Sequence, residues 1–219
     1  MPDNVTEKEV LNCIDAFNDN NFFHGILLQL PVPQQIDPYL LIEKLDYRKD
    51  VDGLHPYNIG LLSCANKRGI VPCTPKGCLR LIKGVKKNLQ GLKAVIIGRS
   101  NLIGKSMMQI LLQENCTVSI IHSKTINSKL ITRSADIIIS AVGIPNLITQ
   151  SWIKEGAIVI DVGITRQRII KGINKITGDV CFKGVLPKVH AISPVPGGVG
   201  PMTVSCLLEN TLEAFEKTL

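Results

Sequence analysis

The distribution of apolar and polar positions divides the chain into two textures. In the first part, short helical patterns alternate with proline-rich breaks. Thr6-Glu7-Lys8-Glu9 has the capping-box pattern of a helix start, and Val10, Leu11, Ile14 and Phe17 follow at helical spacing. Residues 25–30 (Gly-Ile-Leu-Leu-Gln-Leu) read as a buried strand that stops at Pro31, because proline cannot continue a ladder. Asp37-Pro38 opens a second helix, with Asp37 as cap and Pro38 at the first helical position, carrying Leu41, Ile42 and Leu45. Residues 50–62 read as a loop. Thr74-Pro75 repeats the cap-plus-proline signature ahead of Leu79 and Ile82.

At residues 84–91 lysines, an asparagine and two glycines separate the two textures, and this stretch is taken as a domain boundary. Beyond it strand and helix patterns alternate: strands at 94–98, 117–122, 136–142 and 157–162, helices at 104–114 and 129–134, and a short strand at 179–182. The strands are apolar almost throughout. Strands without polar alternation are covered on both faces, which marks a parallel sheet with helices on each side. Residues 193–201 form a glycine- and proline-punctuated loop, after which Thr203 is expected to cap a last helix with Val204, Leu207, Leu208, Leu212 and Phe215 on its buried face. The fold class expected is α/β. It has two domains: an incomplete first α/β domain (1–83, completed by the helix 203–219) and a Rossmann-type domain (84–202).

Composition narrows the function. The 219 residues are 45% hydrophobic and 20% charged, ordinary values for a globular chain with a sizeable core. Apolar runs such as 135–143 are too short to span a membrane. No basic-then-apolar leader opens the chain, so a cytoplasmic protein with no membrane partner is expected. The net charge of +7 is scattered apart from the run 83–87, and aromatics are only 4%. That argues against nucleic acid, which calls for a basic stripe with aromatics among the charges. A basic surface suits either plain solvation or a polyanionic small ligand. The seven cysteines (13, 64, 73, 78, 116, 181 and 206) contain no Cys-x-x-Cys pair. They are read as reduced, mostly buried thiols, with no metal site.

The strongest local chemistry is at 95–104. A strand ending at Gly98 runs into Arg99-Ser100-Asn101-Leu102-Ile103-Gly104 and then a helix. Such a turn delivers backbone N–H groups and a helix N-terminus to a pyrophosphate. The match to Gly-x-Gly-x-x-Gly is imperfect: Ser100 stands at the second glycine, and one extra residue precedes Gly104. A strand–turn–helix with two glycines is also common as mere packing. The second strand ends in His122-Ser123-Lys124-Thr125, with no carboxylate for the ribose hydroxyls. Hydroxyls and cations there, with Arg99 nearby, would accept a 2′-phosphate, so NADP is expected rather than NAD.

Three stretches together resemble the bifunctional methylenetetrahydrofolate dehydrogenase/cyclohydrolase (FolD) family. They are Glu7 through Val32, ending Leu28-Gln29-Leu30-Pro31; Asp50-Val51-Asp52-Gly53 with Pro72-Cys73-Thr74-Pro75-Lys76-Gly77; and Pro196-Gly-Gly-Val-Gly-Pro-Met-Thr203. Gly98-Arg99-Ser100 and Asp161-Val162-Gly163-Ile164 match as well. The resemblance implies oxidation of 5,10-methylenetetrahydrofolate with NADP, then hydrolysis of the methenyl form to 10-formyltetrahydrofolate, in one-carbon metabolism that serves purine biosynthesis. It implies that Asp52 binds the pterin, that Gln29 lies beside the one-carbon bridge, and that Pro196, Gly197 and Gly198 bring backbone against the folate. By the same resemblance Gly98, Arg99, Ser100, Ser123 and Ile164 hold NADP, the folate occupies a cleft between the domains, and the protein is a homodimer. Each role has a plainer alternative. Gln29 could pair with neighbouring backbone, and Asp52-Gly53 is a common turn pair.

One departure qualifies the resemblance. The family's catalytic lysine lies in a Tyr-x-x-x-Lys segment ahead of the stretch matching 6–32, and neither Lys8 nor Lys44 lies in a matching motif. Loss of such a general acid–base group costs roughly 10²–10⁴-fold. The chain alone is therefore expected to bind NADP with little or no cyclohydrolase activity. Two alternatives stay open: a non-catalytic NADP-binding relic, and a different NADP dehydrogenase acting on a small acid.

Overall fold

The computed structural model describes residues 4–168 and 174–217. The chain folds as two units, one comprising the residues up to Cys73 with those from Cys206 onward, the other Thr74–Ser205. Residues 74–83, assigned from sequence to the first domain, group with the second unit.

In the first unit, α1 (Glu7–Asn18) opens with the full capping box: Thr6 Oγ1 accepts from Glu9 N–H, and the Glu9 carboxylate accepts from Thr6 N–H at 2.8 Å. The hydrogen bonds from Thr6 hold the Glu9 carboxyl below its usual range. Lys49, buried, places its ammonium among the carbonyls of Phe17, Asn18 and Asn20, where a cation complements the helix C-terminus. Helix α2 (Pro38–Lys44) starts at the Asp37 cap with Pro38 in its first turn. Val10, Ile14, Ile36, Leu41 and Leu45 form the core between these helices.

Several expectations fail in this unit. Residues 25–30 form no strand; only Ile26 pairs, in a lone parallel bridge to Asp50, and Leu27 is exposed. A strand needs a neighbour for its ladder, and the first unit has none among the described residues. The expected loop 50–62 contains α3 (Pro56–Ser63), capped by His55 Nδ1, which accepts from Tyr57 N–H at 3.0 Å. His55-Pro56 is thus the same cap-plus-proline device as Asp37-Pro38. Helix α4 (Cys73–Val85) begins one residue before Thr74, so Thr74 and Pro75 lie in its first turn. Proline is tolerated there because its missing N–H would have no helical partner.

The second unit carries a five-stranded sheet made of β1 (Lys93–Ile97), β2 (Thr117–Ile121), β3 (Ile137–Ser140), β4 (Ile158–Asp161) and β7 (Ala191–Ile192). All neighbours pair in parallel, in the order β2-β1-β3-β4-β7. β3 and β4 are buried at every residue, as their apolar runs Ile137–Ile139 and Ile158–Ile160 predict. Each of the three fully buried isoleucines of β3 stabilises the sheet by about 1.5–3 kcal/mol. Helices α5 (Ser106–Gln113), α6 (Ser128–Thr132) and α7 (Phe182–Val185) belong to the same unit. β5 (Thr165–Arg168) and β6 (Asn174–Thr177) form an antiparallel pair beyond the elements expected from sequence. The strand expected at 179–182 is a single bridge from Val180 to Ile148, followed directly by α7.

The last helix, α8 (Val199–Glu216), starts ahead of Thr203, whose hydroxyl donates back to Val199 O instead of capping. Of the apolar positions expected to share one face, Leu207 packs against the core of Val51, Ile70 and Ala214. Val204, Leu208 and Leu212 are 57%, 69% and 56% exposed, and the face at zero exposure is Cys206, Asn210 and Ala214. Gly25 packs closely beside this helix: a Cβ there would lie 2.5 Å from Val51 Cγ1 and 3.5 Å from Thr211 Cγ2.

None of the seven cysteines is in a disulfide; four are buried, Cys13 and Cys181 partly so, and Cys64 is exposed. Among the described residues no helix is long and apolar enough to cross a membrane, and no cluster of three metal-ligating side chains occurs.

Candidate active site

The order β2-β1-β3-β4-β7 reverses direction between β1 and β3, and at such a switch point the carboxyl ends of the strands leave a crevice. Gly98 sits there with φ +117°. A Cβ at this position would lie 2.5 Å from Ala141 O, so only glycine fits between the two strand ends. Ser100 then caps the following turn, its Oγ accepting from Ile103 N–H at 3.2 Å and Gly104 N–H at 3.5 Å. The imperfect glycine motif finds its explanation here. Residues Asn101–Lys105 form one wide π-type turn, closed by Lys105 N–H to Ser100 O at 3.0 Å. A π-turn accommodates one extra residue before the helix. Gly104 still returns to the start of the loop, where a Cβ would collide with Gly98 O and lie 2.8 Å from the α-carbon of Arg99. Arg99 and Ser100 are exposed at the rim.

Beside this turn lies a half-open cavity of about 310 Å³, lined by Ile97, Ile121, Ser123, Val142, Ile144 and Trp152. Ser123 stands in the turn after β2, where His122 N–H donates to Thr125 Oγ1 and Lys124 N–H to His122 Nδ1. No carboxylate lines this cavity. Ile164, 60% exposed, follows Asp161 at the end of β4 and does not line it. Burial pushes the Asp161 carboxyl up to about 6, with Asp179 adding to the rise against backbone N–H bonds from Val180, Asp179 and Gly163. Pro196, Gly197 and Gly198 lie in the loop before α8. Gly197 has φ +103°, and a Cβ on Gly198 would lie 2.5 Å from Pro194 O.

The pterin-binding candidate lies in the first unit. Asp52-Gly53 is indeed a turn: Gly53 has φ +71° and donates to Asp50 O at 3.2 Å. A Cβ on Gly53 would lie 2.7 Å from Pro72 N, so glycine lets the segment before α4 approach. The turn holds Asp52 part-buried, and burial pushes its carboxyl up to about 6. The nearby Asp50 charge adds to the rise, and a hydrogen bond with the Cys73 side chain opposes it. The turn pair and the functional carboxylate are therefore compatible readings of the same residue. Gln29 is exposed, and its amide donates to the adjacent Leu30 O at 2.9 Å, the plainer of its two readings.

Three supporting residues escaped the sequence reading. Asp50, buried, accepts from His55 N–H at 2.7 Å and Asn58 Nδ2 at 3.0 Å. Asn58 also accepts from Ile70 N–H. Asn210 donates to Val51 O and Val71 O, both at 2.9 Å, and to Cys73 Sγ at 3.2 Å, tying both flanks of Asp52 to α8. A single asparagine among apolar helix positions was the available signal for Asn210.

Residues 72–219 match the model of the tetrahydrofolate dehydrogenase/cyclohydrolase NAD(P)-binding domain, and residues 1–52 match that of the corresponding catalytic domain. The bifunctional protein FolD of Pelagibacter ubique is 52% identical, covering 99% of this chain and 75% of the relative. The crystal structure of the bifunctional FolD enzyme from Campylobacter jejuni superposes with a TM-score of 0.93 at 46% identity, over 99% of this chain and 76% of that one. The FolD of Trypanosoma brucei, complexed with NADP cofactor and inhibitor, gives 0.93 at 38% identity, over 100% of this chain and 75% of that one. On a turn built around Gly98 and Gly104, a part-buried Asp52 and matches that span the whole length, this chain belongs to the tetrahydrofolate dehydrogenase/cyclohydrolase family.

Proposed function

We propose that this chain oxidises 5,10-methylenetetrahydrofolate to the 5,10-methenyl form with NADP and serves the hydrolysis of that product to 10-formyltetrahydrofolate. The observation that carries this reading is the turn Gly98–Gly104, shaped by close backbone approach, beside a strand end that lacks a carboxylate. A carboxylate there would bind ribose hydroxyls and repel a 2′-phosphate. Gly98 and Ser100 offer backbone to the pyrophosphate, Arg99 and Ser123 take the 2′-phosphate, and Ile164 packs against the dinucleotide. NADP supplies the hydride acceptor. The protein supplies binding and orientation.

On the folate side, Asp52 accepts both N–H donors on the pterin edge. A ring lacking these donors leaves a part-buried carboxylate unpaired, which rejects it strongly. Pro196, Gly197 and Gly198 admit backbone to the flat ligand, and Gln29 turns its amide from Leu30 O toward the one-carbon bridge.

Titrating the purified chain separately with NADP and with a folate analogue tests the assignment. Both are expected to bind, and NADPH is expected to form on addition of methylenetetrahydrofolate. Failure of both ligands to bind overturns the reading. Binding of NADP alone would favour the relic. We further propose a cytoplasmic homodimer, supported by seven cysteines without a disulfide among them and by the family resemblance. Light scattering should give twice the 23.9 kDa chain mass; a monomer at micromolar concentration would refute it.

A further inference from the structure

Two buried aspartates, Asp161 and Asp179, meet at the ends of β3 and β4. Asp179 is fully buried, and its carboxylate collects three donors from the end of β3 and the turn beyond it. Ser140 Oγ donates to Oδ2 at 3.0 Å, Val142 N–H to Oδ2 at 2.8 Å, and Ile144 N–H to Oδ1 at 3.0 Å. The chain between these amides turns at Gly143, φ +68°. Val142 and Ile144 are also the residues whose side chains line the 310 Å³ cavity beside the nucleotide turn.

Asp179 is in turn held from the next strand. Its own N–H donates to Asp161 Oδ1 at 2.9 Å, Val180 N–H donates to Asp161 Oδ2 at 2.9 Å, and Gly163 N–H to Asp161 Oδ1 at 3.1 Å. Two glycines close the arrangement. A methyl group on Gly163 would collide with the Asp179 carboxylate, and one on Gly178 with that of Asp161. The carboxylates are thus seated against bare backbone and bonded by N–H groups and a hydroxyl. A carboxylate accepts at both oxygens, whereas an amide offers one acceptor and would present an NH₂ to a backbone N–H.

We propose that Asp179 is a positioning residue for the cofactor: by pinning the N–H groups of Val142 and Ile144 it fixes the cavity wall that receives the adenosine end of NADP. The inference rests on the reading above that this cavity takes that end, since adenosine lies at the end of the second strand in a sheet of this order. Leaving one of these part-buried N–H groups unpaired costs about 1–3 kcal/mol, which at 1.4 kcal/mol per tenfold is about 5- to 150-fold in affinity.

The test is D179N in the full chain, titrated with adenosine 2′,5′-bisphosphate and, separately, with a folate analogue. The expected result is a nucleotide Kd raised about tenfold to a hundredfold with the folate Kd unchanged. An unchanged nucleotide Kd in the folded variant overturns the inference, and so does an equal loss for both ligands, which would make Asp179 merely structural. Should D179N not fold, amide hydrogen exchange on the wild-type chain decides. Slow exchange at Val142 and Ile144 is expected, and exchange as fast as in exposed loops overturns the inference. A wild-type chain that does not bind the bisphosphate overturns the cofactor assignment and this inference with it, whereas the other adverse outcomes overturn the inference alone.

Discussion

The affinity of this chain for a pterin should fall steeply as the pH drops from 7 to 5, and Asp52 should be the cause. In the free chain, burial pushes the Asp52 carboxyl up to about 6, assisted by the nearby Asp50 and opposed by the Cys73 hydrogen bond. The pterin edge offers N–H donors, which favour the anion. Binding therefore drives a proton off, so affinity is complete above about pH 7 and is lost as pH falls through the free-state value. If only the anion binds, the apparent Kd rises by 1 + 10^(6 − pH), a factor of about 2 at pH 6 and about 11 at pH 5. Isothermal titration with a pterin analogue that does not itself titrate in this range measures it, and repetition in buffers of different ionisation enthalpy counts the proton released. Asp52→Asn removes the step. Asp52→Ala removes two bonds to a charged group, each contributing about 1.5–3 kcal/mol, and should weaken binding by about 10²–10⁴. An affinity that is flat between pH 7 and 5, or a step that survives in Asp52→Asn, would refute the reasoning. Asp161, also pushed up to about 6, is the internal control: its titration should not move folate affinity.

Further expectations concern the nucleotide turn and the last helix. Gly98→Ala places a Cβ 2.5 Å from Ala141 O on a backbone at φ +117°; a cost of about 1–3 kcal/mol should appear in thermal melts, with NADP binding weakened in parallel. Arg99→Ser should weaken NADP about tenfold while leaving NAD nearly unchanged, since only the 2′-phosphate loses its charged partner; equal losses would remove Arg99 from that role. Asn210→Leu leaves the carbonyls of Val51 and Val71 without their buried donor and should cost about 2–5 kcal/mol in urea unfolding. Leu208→Ser, on the exposed face of α8, should stay within about 0.5 kcal/mol by the same measurement.

The amino-acid sequence by itself determined the features whose physics is local. Thr6 and Asp37 are caps because their side chains reach N–H groups two or three residues away. β1, β3 and β4 are legible because a strand covered on both faces is apolar along nearly its whole length. Gly98 and Gly104 mark a turn because their backbone must approach closely. Partner-dependent features were decided only by the tertiary structure. Residues 25–30 carry a strand's pattern and form none, because pairing needs a neighbour the sequence of the segment cannot supply. The fully buried positions of α8 are Cys206, Asn210 and Ala214, with Leu207 beside them, whereas Val204, Leu208 and Leu212 are exposed; which side of a helix meets the core depends on what packs against it. The extra residue in the nucleotide turn disappears into a wide helical turn, visible only once Ser100 O meets Lys105 N–H. The Asp161 and Asp179 pair, 18 residues apart, comes together only when the segment after β6 returns to the ends of β3 and β4.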